Sequence, residues 1–389
     1  MQDDQNIAIK IFQGTTGDTE YFLTISAETD TDADFHHQLK YIEKRYKDIQ
    51  NQYNIPPESA IFRRIFLSDV MNQAAPIFNS DLFRSLDPEN PVAVSMIQQP
   101  PLCNSKIALF AYHIKSVAPL IKHSLSPKHL LVKRGELSHL WSTRLCAGSY
   151  GSSASIQAQT QDIFRNLIDV LSDQGGLLAD HCVRTWIYLK NVDVFYQGMV
   201  ESRSKIFTRH GLTEDTHYIA STGIEGACAH RYDLTSMDAY SVIGAKSEQI
   251  SYLNDFSLLC PTKDYNVTFE RGTRVAYADR SHYFISGTAS IDDAGRVLYP
   301  GDVLRQLERT FINIEALLHS GSAGLDDLTY IFVYLRDPQD YQKIAYAIKE
   351  RFPLLPTVIV QGAVCRPEWL IEIEGVAAKK NHNPKLPYF

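Results

Sequence analysis

The stretch from Pro356 to Ala378 combines residue types that could do acid–base chemistry. It reads as two strands joined by a turn at Cys365-Arg366-Pro367, because β-branched and apolar residues dominate on both sides of that turn. In the second strand, Glu372 is flanked by leucine and isoleucine side chains and follows the arginine of the turn. A carboxylate in such surroundings is costly to bury, so we predict that it is a working group of the protein.

Apolar neighbours raise the pKa of a carboxyl group, because desolvation disfavours its charged form. The sequence therefore predicts that Glu372 can act as a proton donor. The alternative is a surface-facing strand glutamate in an ordinary ion pair. Glu374 lies on the same face of the strand, since side chains alternate, and we expect it to be solvated near the end of the strand.

The composition is that of an acidic globular protein. The chain has 389 residues and a net charge of −7, which argues against broad nucleic-acid binding, since that needs a basic face. Six scattered cysteines without a CxxC pair, and histidines without metal-ligand spacing, predict neither a metal site nor a disulfide framework. Without a signal-peptide segment or an apolar run that could span a bilayer, a cytoplasmic location with no membrane contact is expected.

One unit recurs three times along the chain. In each copy a helix-like segment precedes a strand-like core, and a second amphipathic stretch and paired closing strands follow. The first helices of the three copies are predicted at Phe35 to Tyr53, Ile156 to Gln174 and Asp302 to Ser320. We therefore predict an α+β fold with the order β-β-α-β-α-β-β in each unit. The units are 1–125, 126–245 and 246–389.

The polar residues of the closing strands differ among the copies. When the first and third copies are aligned on Cys103 and Cys365, Phe110 takes the place of Glu372, and an asparagine replaces the arginine of the turn. The middle copy has only Asp238 nearby. The combination of arginine and glutamate in the third copy alone suggests a single active centre. Strand-rich linkers are expected between the units, near Ser124 to Ser142 and near Lys246 to Ser281.

Motifs of the second and third copies resemble a known family. In the third copy they are Ser286-Gly287-Thr288-Ala289-Ser290, Gln306, Asn313, Val333-Tyr334-Leu335-Arg336, and Cys365-Arg366-Pro367 with Glu372. In the middle copy they are Arg184-Thr185-Trp186, Tyr188, Arg203 and Ala220-Ser221-Thr222-Gly223-Ile224. From about residue 130 onward the chain resembles the Rid (YjgF) superfamily, and more narrowly the chorismatase family built from the same fold. The first copy departs from that pattern, because chorismatases have no complete extra Rid-like copy.

The resemblance implies an assembly, a substrate and a reaction. Rid proteins are usually trimers with sites between subunits, so three units in one chain imply an internal pseudo-trimer, and a monomer is expected. Chorismatases act on chorismate, which carries two carboxylates and an enolpyruvyl ether, and no metal or organic cofactor is implied. The implied products are pyruvate and a hydroxybenzoate, with 3-hydroxybenzoate favoured and 4-hydroxybenzoate also open.

The resemblance also implies roles for individual residues. Glu372 would protonate the methylene carbon of the enol ether. Two small pocket positions, Gly287 and Cys365, track the product in the family and here resemble the hydroxybenzoate-forming type. The substrate-binding residues that the resemblance implies are Arg366 and Arg203 as carboxylate clamps, with Tyr334, Thr222, Gly287 and Cys365. The plainer interpretations are a solvent-facing turn arginine for Arg366, an exposed helix charge for Arg203 and a packed core side chain for Tyr334.

Two other functions stay open at this point. The general Rid site also uses an arginine to bind a carboxylate, but it acts on small imino acids as an imine or enamine deaminase. Because two of the three copies lack the arginine and glutamate pair, the third could also serve a non-catalytic, ligand-binding protein. Release of pyruvate from chorismate would distinguish these possibilities.

Overall fold

The computed structural model describes residues 7–27, 33–83, 89–118, 120–147, 154–262 and 267–389. Within these ranges, three mixed sheets and their helices form an α+β protein, which confirms the predicted fold class. No helix among the described residues is long and apolar enough to cross a membrane.

Each sheet is built by one consecutive part of the chain. The first part contains β1 (Ile7–Gln13), β2 (Thr19–Ser26), α1 (Phe35–Gln52), β3 (Ala60–Leu67), α2 (Val70–Phe78), β4 (Ala93–Gln98) and β5 (Ile107–Lys115). The second contains β6 (Ile121–Ser126), β7 (His129–Arg134), β8 (Leu137–Cys146), α3 (Ile156–Asp173), α4 (Leu178–His181), β9 (Cys182–Leu189), α5 (Val192–Arg209), β10 (Ala220–Glu225) and β11 (Thr235–Ile243). The third contains β12 (Ile250–Tyr252), β13 (Gly272–Ala276), β14 (Arg280–Thr288), α6 (Val303–Ser320), β15 (Leu328–Leu335), α7 (Tyr341–Arg351), β16 (Thr357–Gln361) and β17 (Ile371–Lys380).

The first helix of each unit begins and ends close to its predicted bounds. Each of the three is capped by a side-chain oxygen that accepts a backbone N–H bond in the first turn, from Asp34 at 2.9 Å, Ser155 at 3.2 Å and Asp302 at 3.0 Å. Each helix packs one apolar stripe on its own sheet. Local capping and apolar spacing therefore explain these elements.

The closing strands do not pair as the sequence predicts. In the third sheet the order is β12-β13-β14-β17-β15-β16, so β15 lies between β16 and β17. β15 runs parallel to β16, because α7 provides the crossover between them, and antiparallel to β17. The predicted hairpin of the two closing strands is therefore wrong, and the same arrangement holds for β4 and β5 around β3 and for β10 and β11 around β9.

The two segments predicted to be strand-rich linkers do contain strands, but these strands belong to the sheets and do not connect them. Residues 124–142 contribute β7 and the first half of β8, which are strands of the second sheet. Residues 246–281 contribute β12 and β13, which extend the third sheet beyond β14. The chain passes from one sheet to the next with little intervening sequence.

The three sheets share one core. A single cluster of buried apolar side chains draws on all three units. Aromatic pairs join every sheet to the other two, with ring centroids 5.1 Å apart for Phe66 and Phe332, 4.8 Å for Phe62 and Trp141, and 5.2 Å for Tyr240 and Phe284. The chain is therefore an internal pseudo-trimer. That it stays monomeric in solution remains a prediction.

The strand register identifies equivalent residues in the three sheets. The register pairs Phe332 with Glu374, Trp186 with Asp238 and Arg64 with Phe110. Phe110 and Asp238 are thus the counterparts of Glu374, and the alignment of Phe110 with Glu372 was wrong by two residues. Ala108 and Ser236 occupy the position of Glu372. Glu372 is still the one carboxylate among these three equivalent positions.

Candidate active site

A cleft between the middle and third units contains Glu372. It encloses about 470 Å³ of space, part of which opens to solvent. Five of the seven predicted site residues line it, and α5, β10, β14 and the turn before β17 supply most of its wall. The lining residues are Tyr196, Arg203, Ser221, Thr222, Gly223, Phe269, Arg271, Gly287, Ala289, Ile291, Cys365, Trp369 and Glu372.

The Glu372 carboxyl group is held in a state that favours its protonated form. The residue is 5% exposed, and no hydrogen bond to its carboxyl oxygens occurs in the described part of the chain. Burial raises the pKa of Glu372 from 4.5 to about 8, and the nearby Glu374 carboxylate acts in the same direction. The positive charges of Arg184 and Arg271 oppose this shift. A carboxyl group of this kind can donate a proton at neutral pH.

Glu374 has a different environment from Glu372, although it lies on the same strand face. It is 1% exposed, and its carboxylate accepts hydrogen bonds from Arg184 Nη2 at 2.5 Å and from the Tyr334 hydroxyl at 2.9 Å. The Thr222 hydroxyl also donates to it, and Arg64 Nη1 lies 3.6 Å away. The expectation that Glu374 is solvated was wrong, because arginines of the first and middle units surround it.

Gly287 allows the close approach of the catalytic candidate to β14. A Cβ atom at this position would lie 2.2 Å from Oε1 of Glu372, so no larger residue fits without a shift of that carboxyl group. The Gly287 N–H donates to Oγ1 of Thr222 at 2.9 Å, which joins β14 to β10 across the boundary between units. Gly287 and Thr222 thus fix one wall of the cleft.

Two arginines face the cleft from different elements. Arg203, on α5, is 2% exposed, and its Nε donates to Oγ1 of Thr268 at 3.1 Å. Its Nη2 is buried and has no hydrogen-bond partner among the described residues. Arg271, just before β13, is 5% exposed and donates from Nη2 to the Cys260 carbonyl at 3.0 Å. The plainer interpretation of Arg203 as an exposed helix charge is wrong.

Two predicted site residues are not in the lining of the cleft. The Arg366 guanidinium stacks on the Trp369 ring, 4.8 Å from its centroid, and Nη1 donates to the Gly295 carbonyl at 2.9 Å. Tyr334 is fully buried and donates its hydroxyl to Glu374. The structure therefore places Arg366 in the turn and Tyr334 beneath the cleft, where it supports Glu374.

Arg271 is a cleft residue that sequence reasoning missed. It lies in the segment from Lys246 to Ser281, which the sequence predicted to be a linker. The signal that could have found it is local, since the arginine directly precedes Gly272 and a short β-branched and apolar run that reads as a strand.

Helix α6 positions the turn that carries Cys365. The Gln306 side chain donates to the Glu368 carbonyl at 2.8 Å and accepts from the Leu370 N–H at 2.9 Å. Asn313 donates to the carbonyls of Ala289 and Ile291, both at 3.0 Å, which holds the segment after β14 against the same helix. Burial raises the pKa of the Cys365 thiol to about 12, so this side chain stays neutral.

In the middle unit an arginine, Arg144, takes the position that Gly287 has in the third unit. Ser286 and Gly287 form a bulge opposite Glu374, and Thr143 and Arg144 form the same bulge opposite Asp238. The Arg144 guanidinium donates to the Val94 carbonyl of the first unit and stacks on Phe83. The arginine thus packs across the boundary between the first two units at the place where Gly287 leaves space.

Comparisons with known proteins agree with this architecture. The family model described as "Endoribonuclease L-PSP" matches residues 273–379, which lie in the third unit. A RutC family protein from Pyrococcus abyssi is 32% identical over 99 residues, which cover 25% of this chain and 78% of that protein. The 3-aminoacrylate deaminase RutC of Acinetobacter baylyi is 31% identical over 96 residues, which cover 24% of this chain and 76% of that protein.

One solved structure matches nearly the whole chain. The crystal structure of a chorismatase superposes with a TM-score of 0.61 at 16% sequence identity, and the match covers 95% of this chain and 100% of that one. At this identity the likeness concerns the fold. The likeness extends through all three units. The N-terminal unit, which the sequence motifs indicated to be an extra copy absent from chorismatases, therefore has a counterpart in that structure.

Proposed function

We propose that this chain, which belongs to the Rid superfamily of RutC and L-PSP proteins, is a chorismatase that converts chorismate to a hydroxybenzoate and pyruvate. The full-length likeness to a chorismatase fold supports the substrate class. The observation that carries the proposal is the position of Glu372, a buried carboxyl group with a raised pKa on the wall of a cleft that also presents two arginines.

The reaction begins with proton transfer from Glu372. An enol ether resists cleavage at neutral pH until its methylene carbon is protonated, and a carboxyl group with a pKa near 8 supplies that proton without a metal. Protonation gives a cation that is stabilised by the ether oxygen. Cleavage of the bond between ring carbon C3 and the ether oxygen then releases pyruvate and leaves a ring cation. Loss of the C4 proton from this cation gives 4-hydroxybenzoate, whereas 3-hydroxybenzoate forms when the oxygen of the C4 hydroxyl first bonds to C3, its bond to C4 breaks, and the C3 proton is lost. Either route removes one proton overall, so the atoms of the two products together equal those of chorismate. The Glu372 carboxylate left after the first step can accept the ring proton.

The two arginines of the cleft suit a substrate with two carboxylates. Arg203 and Arg271 both line the cleft, and each is nearly buried, so a substrate carboxylate that reaches either guanidinium would be bound with little screening by water. Arg203 has an Nη2 atom available for such a bond in the described structure. We therefore assign the clamp roles to Arg203 and Arg271, and we give Arg366 a supporting role in the turn.

The product depends on how the ring sits against Gly287 and Cys365. Gly287 leaves room next to Glu372, and the neutral Cys365 thiol offers a weak donor at the edge of the cleft. We propose 3-hydroxybenzoate as the main product, with 4-hydroxybenzoate as a minor one. Cys365→Ala should change the ratio of products more than the rate, and chromatography of the aromatic products measures both.

Incubation of the purified protein with chorismate tests the proposal. We expect equal amounts of pyruvate and hydroxybenzoate, and we expect Glu372→Gln to abolish turnover while the fold stays intact. Glu368→Gln, the same change at an exposed glutamate of the adjacent turn, is the matched control and should keep full activity. If chorismate releases no pyruvate, the chorismatase assignment fails. A dihydrodiol in place of the aromatic product would keep the family and overturn the roles of Gly287 and Cys365.

A deaminase function is the second candidate. It is favoured by the 3-aminoacrylate deaminase that is 31% identical over 96 residues of this chain. Ammonia release from a freshly generated 2-imino acid, without turnover of chorismate, would establish it. The presence of a second arginine in the cleft favours chorismate, because a small imino acid has only one carboxylate to bind.

A further inference from the structure

Two cysteines and an aspartate converge at one end of the second sheet. Cys146 is the last residue of β8, whereas Cys228 and Asp233 belong to the loop between β10 and β11. One sulfur or carboxylate oxygen of each lies within 4.8 Å of the corresponding atoms of the other two. None of the three lines the cleft of Glu372. The cluster is therefore separate from the proposed active site.

The contacts within the cluster bring additional ligand-type groups together. The Cys228 thiol lies 3.5 Å from Oδ2 of Asp233, and Asp233 is 3% exposed. The other carboxylate oxygen, Oδ1, is 3.3 Å from Nδ1 of His230. That ring nitrogen is buried and makes no hydrogen bond with any described residue. Lys128 donates from Nζ to the Cys146 sulfur at 3.6 Å.

The spacing of these atoms fits a small tetrahedral cation. Zinc binds sulfur at about 2.3 Å and carboxylate oxygen at about 2.1 Å, so neighbouring ligands at a tetrahedral angle are about 3.6 Å apart. The 3.5 Å between Cys228 and Asp233 matches such an edge. Thiolate, carboxylate and imidazole are the donor types that zinc prefers, and a bound cation would offset the cost of burying the Asp233 carboxylate.

We propose that Cys146, Cys228 and Asp233 bind a zinc-class divalent cation in the middle unit, with His230 or a water molecule as the fourth ligand. The loop supplies its residues in the pattern Cys228-x-His230-x-x-Asp233, and the ligand from the sheet comes from a distant part of the chain. This separation explains why the spacing along the sequence indicates no metal site. The positive charge of Lys128 would partly balance two thiolates and a carboxylate.

A cation at this site would stabilise a contact between the first and middle units. Ala227, next to Cys228, exchanges two backbone hydrogen bonds with Gln98 at the end of β4, at 2.8 and 3.3 Å. Fixing the loop to β8 would hold this contact in place. The site would then contribute to stability without touching the proposed substrate.

Cobalt and zinc titrations of the full-length, tag-free protein test the inference. The protein is purified with a reductant, freed of metal with a chelator, and titrated with Co²⁺ alone. We expect one Co²⁺ per chain, with sulfur-to-cobalt charge-transfer absorption and the visible bands of a tetrahedral ion. Zinc should displace the cobalt and raise the melting temperature. Cys228→Ser and Asp233→Asn should each lose the charge-transfer bands or the one-to-one stoichiometry, whereas Cys103→Ser, a cysteine of the first unit, should retain both.

Chorismate turnover separates this inference from the proposed function. Asp233→Asn should leave pyruvate release unchanged, since the residue lies outside the cleft. The inference is overturned if Co²⁺ gives no charge-transfer absorption, or if Cys228→Ser and Asp233→Asn, both folded by circular dichroism, bind it as the unaltered protein does. It is also overturned if peptide mapping finds a disulfide between Cys146 and Cys228 and the reduced protein then binds no metal.

Discussion

The pH dependence of turnover tests the role of Glu372 directly. Its carboxyl group has a pKa of about 8 in the folded protein, against an ordinary value of 4.5. At pH 7 such a group is about 90% protonated, whereas an ordinary glutamate would be about 0.3% protonated. Burial therefore increases the population of the working acid by about 300-fold at neutral pH.

The direction of the profile follows from the form that reacts. A general acid must be protonated, so kcat/KM should stay level below about pH 8 and fall tenfold for each pH unit above it. Initial rates of pyruvate release from chorismate, measured by quenching and chromatography at constant ionic strength, give this profile without a coupling enzyme. A profile that falls from about pH 4.5 upward would show that Glu372 is an ordinary carboxylate and would refute the assignment.

Two substitutions should move the profile in opposite directions. Glu374→Gln removes the negative charge that helps raise the pKa of Glu372, so the descending limb should move to lower pH. Arg271→Gln removes a positive charge that lowers it, so the limb should move to higher pH, and KM should rise as well. The pH at which kcat/KM begins to fall reports the pKa of the acid in the free enzyme. It therefore separates the electrostatic effect of each substitution from its effect on substrate binding. A limb that stays in place in both folded variants would mean that another group provides the acid.

Three further predictions concern space, charge and stability. Gly287→Ala should lower kcat by about 100-fold with little change in melting temperature, because the new Cβ displaces the Glu372 carboxyl group from its position. Arg203→Lys should raise the KM for chorismate about tenfold or more, because a lysine cannot bind a carboxylate through two hydrogen bonds in the same plane. Arg366→Lys should change this KM by about twofold or less. Equal effects of the two substitutions would mean that Arg366 also binds a substrate carboxylate. Arg64→Met removes the buried guanidinium that pairs with Asp238 and lies near Glu374, and it should lower the free energy of unfolding by about 3–5 kcal/mol in denaturant titrations.

The helices and the identity of the acid could be read from local sequence. Asp302 and Ser155 precede amphipathic stretches, and capping and apolar spacing act within a few residues, so the helix bounds follow from them. Glu372 was recognisable because its apolar flanks are sequence neighbours. The position of β15 between β16 and β17 could not be predicted in this way, because the residues of a strand do not specify which neighbouring strand it pairs with or on which edge.

The environments of Glu374 and Arg366 depend on distant parts of the chain. The partners of Glu374 are Arg64 and Arg184, which lie on strands of the other two units, so no local pattern around β17 predicts its burial. The orientation of Arg366 is set by its contact with Trp369 and with the Gly295 carbonyl, which lies in a separate segment. The sequence therefore failed to predict the environments of these two side chains, because their contacts come from segments that only the folded pseudo-trimer brings together.

The pseudo-trimer has three boundaries between units, and the distribution of charge explains why one of them holds the proposed acid. Glu374 accepts hydrogen bonds from Arg184 and Tyr334, and Asp238 pairs with Arg64, so both of these acids have buried partners. Glu372 receives no hydrogen bond within the described residues and is therefore the acid that burial can keep protonated. Serine and alanine replace it in the other sheets. Opposite Asp238 the side chain of Arg144 takes the place of Gly287. A second working cleft would therefore require both a new acid and the removal of an arginine that bridges two units, which is why we expect one turnover site per chain.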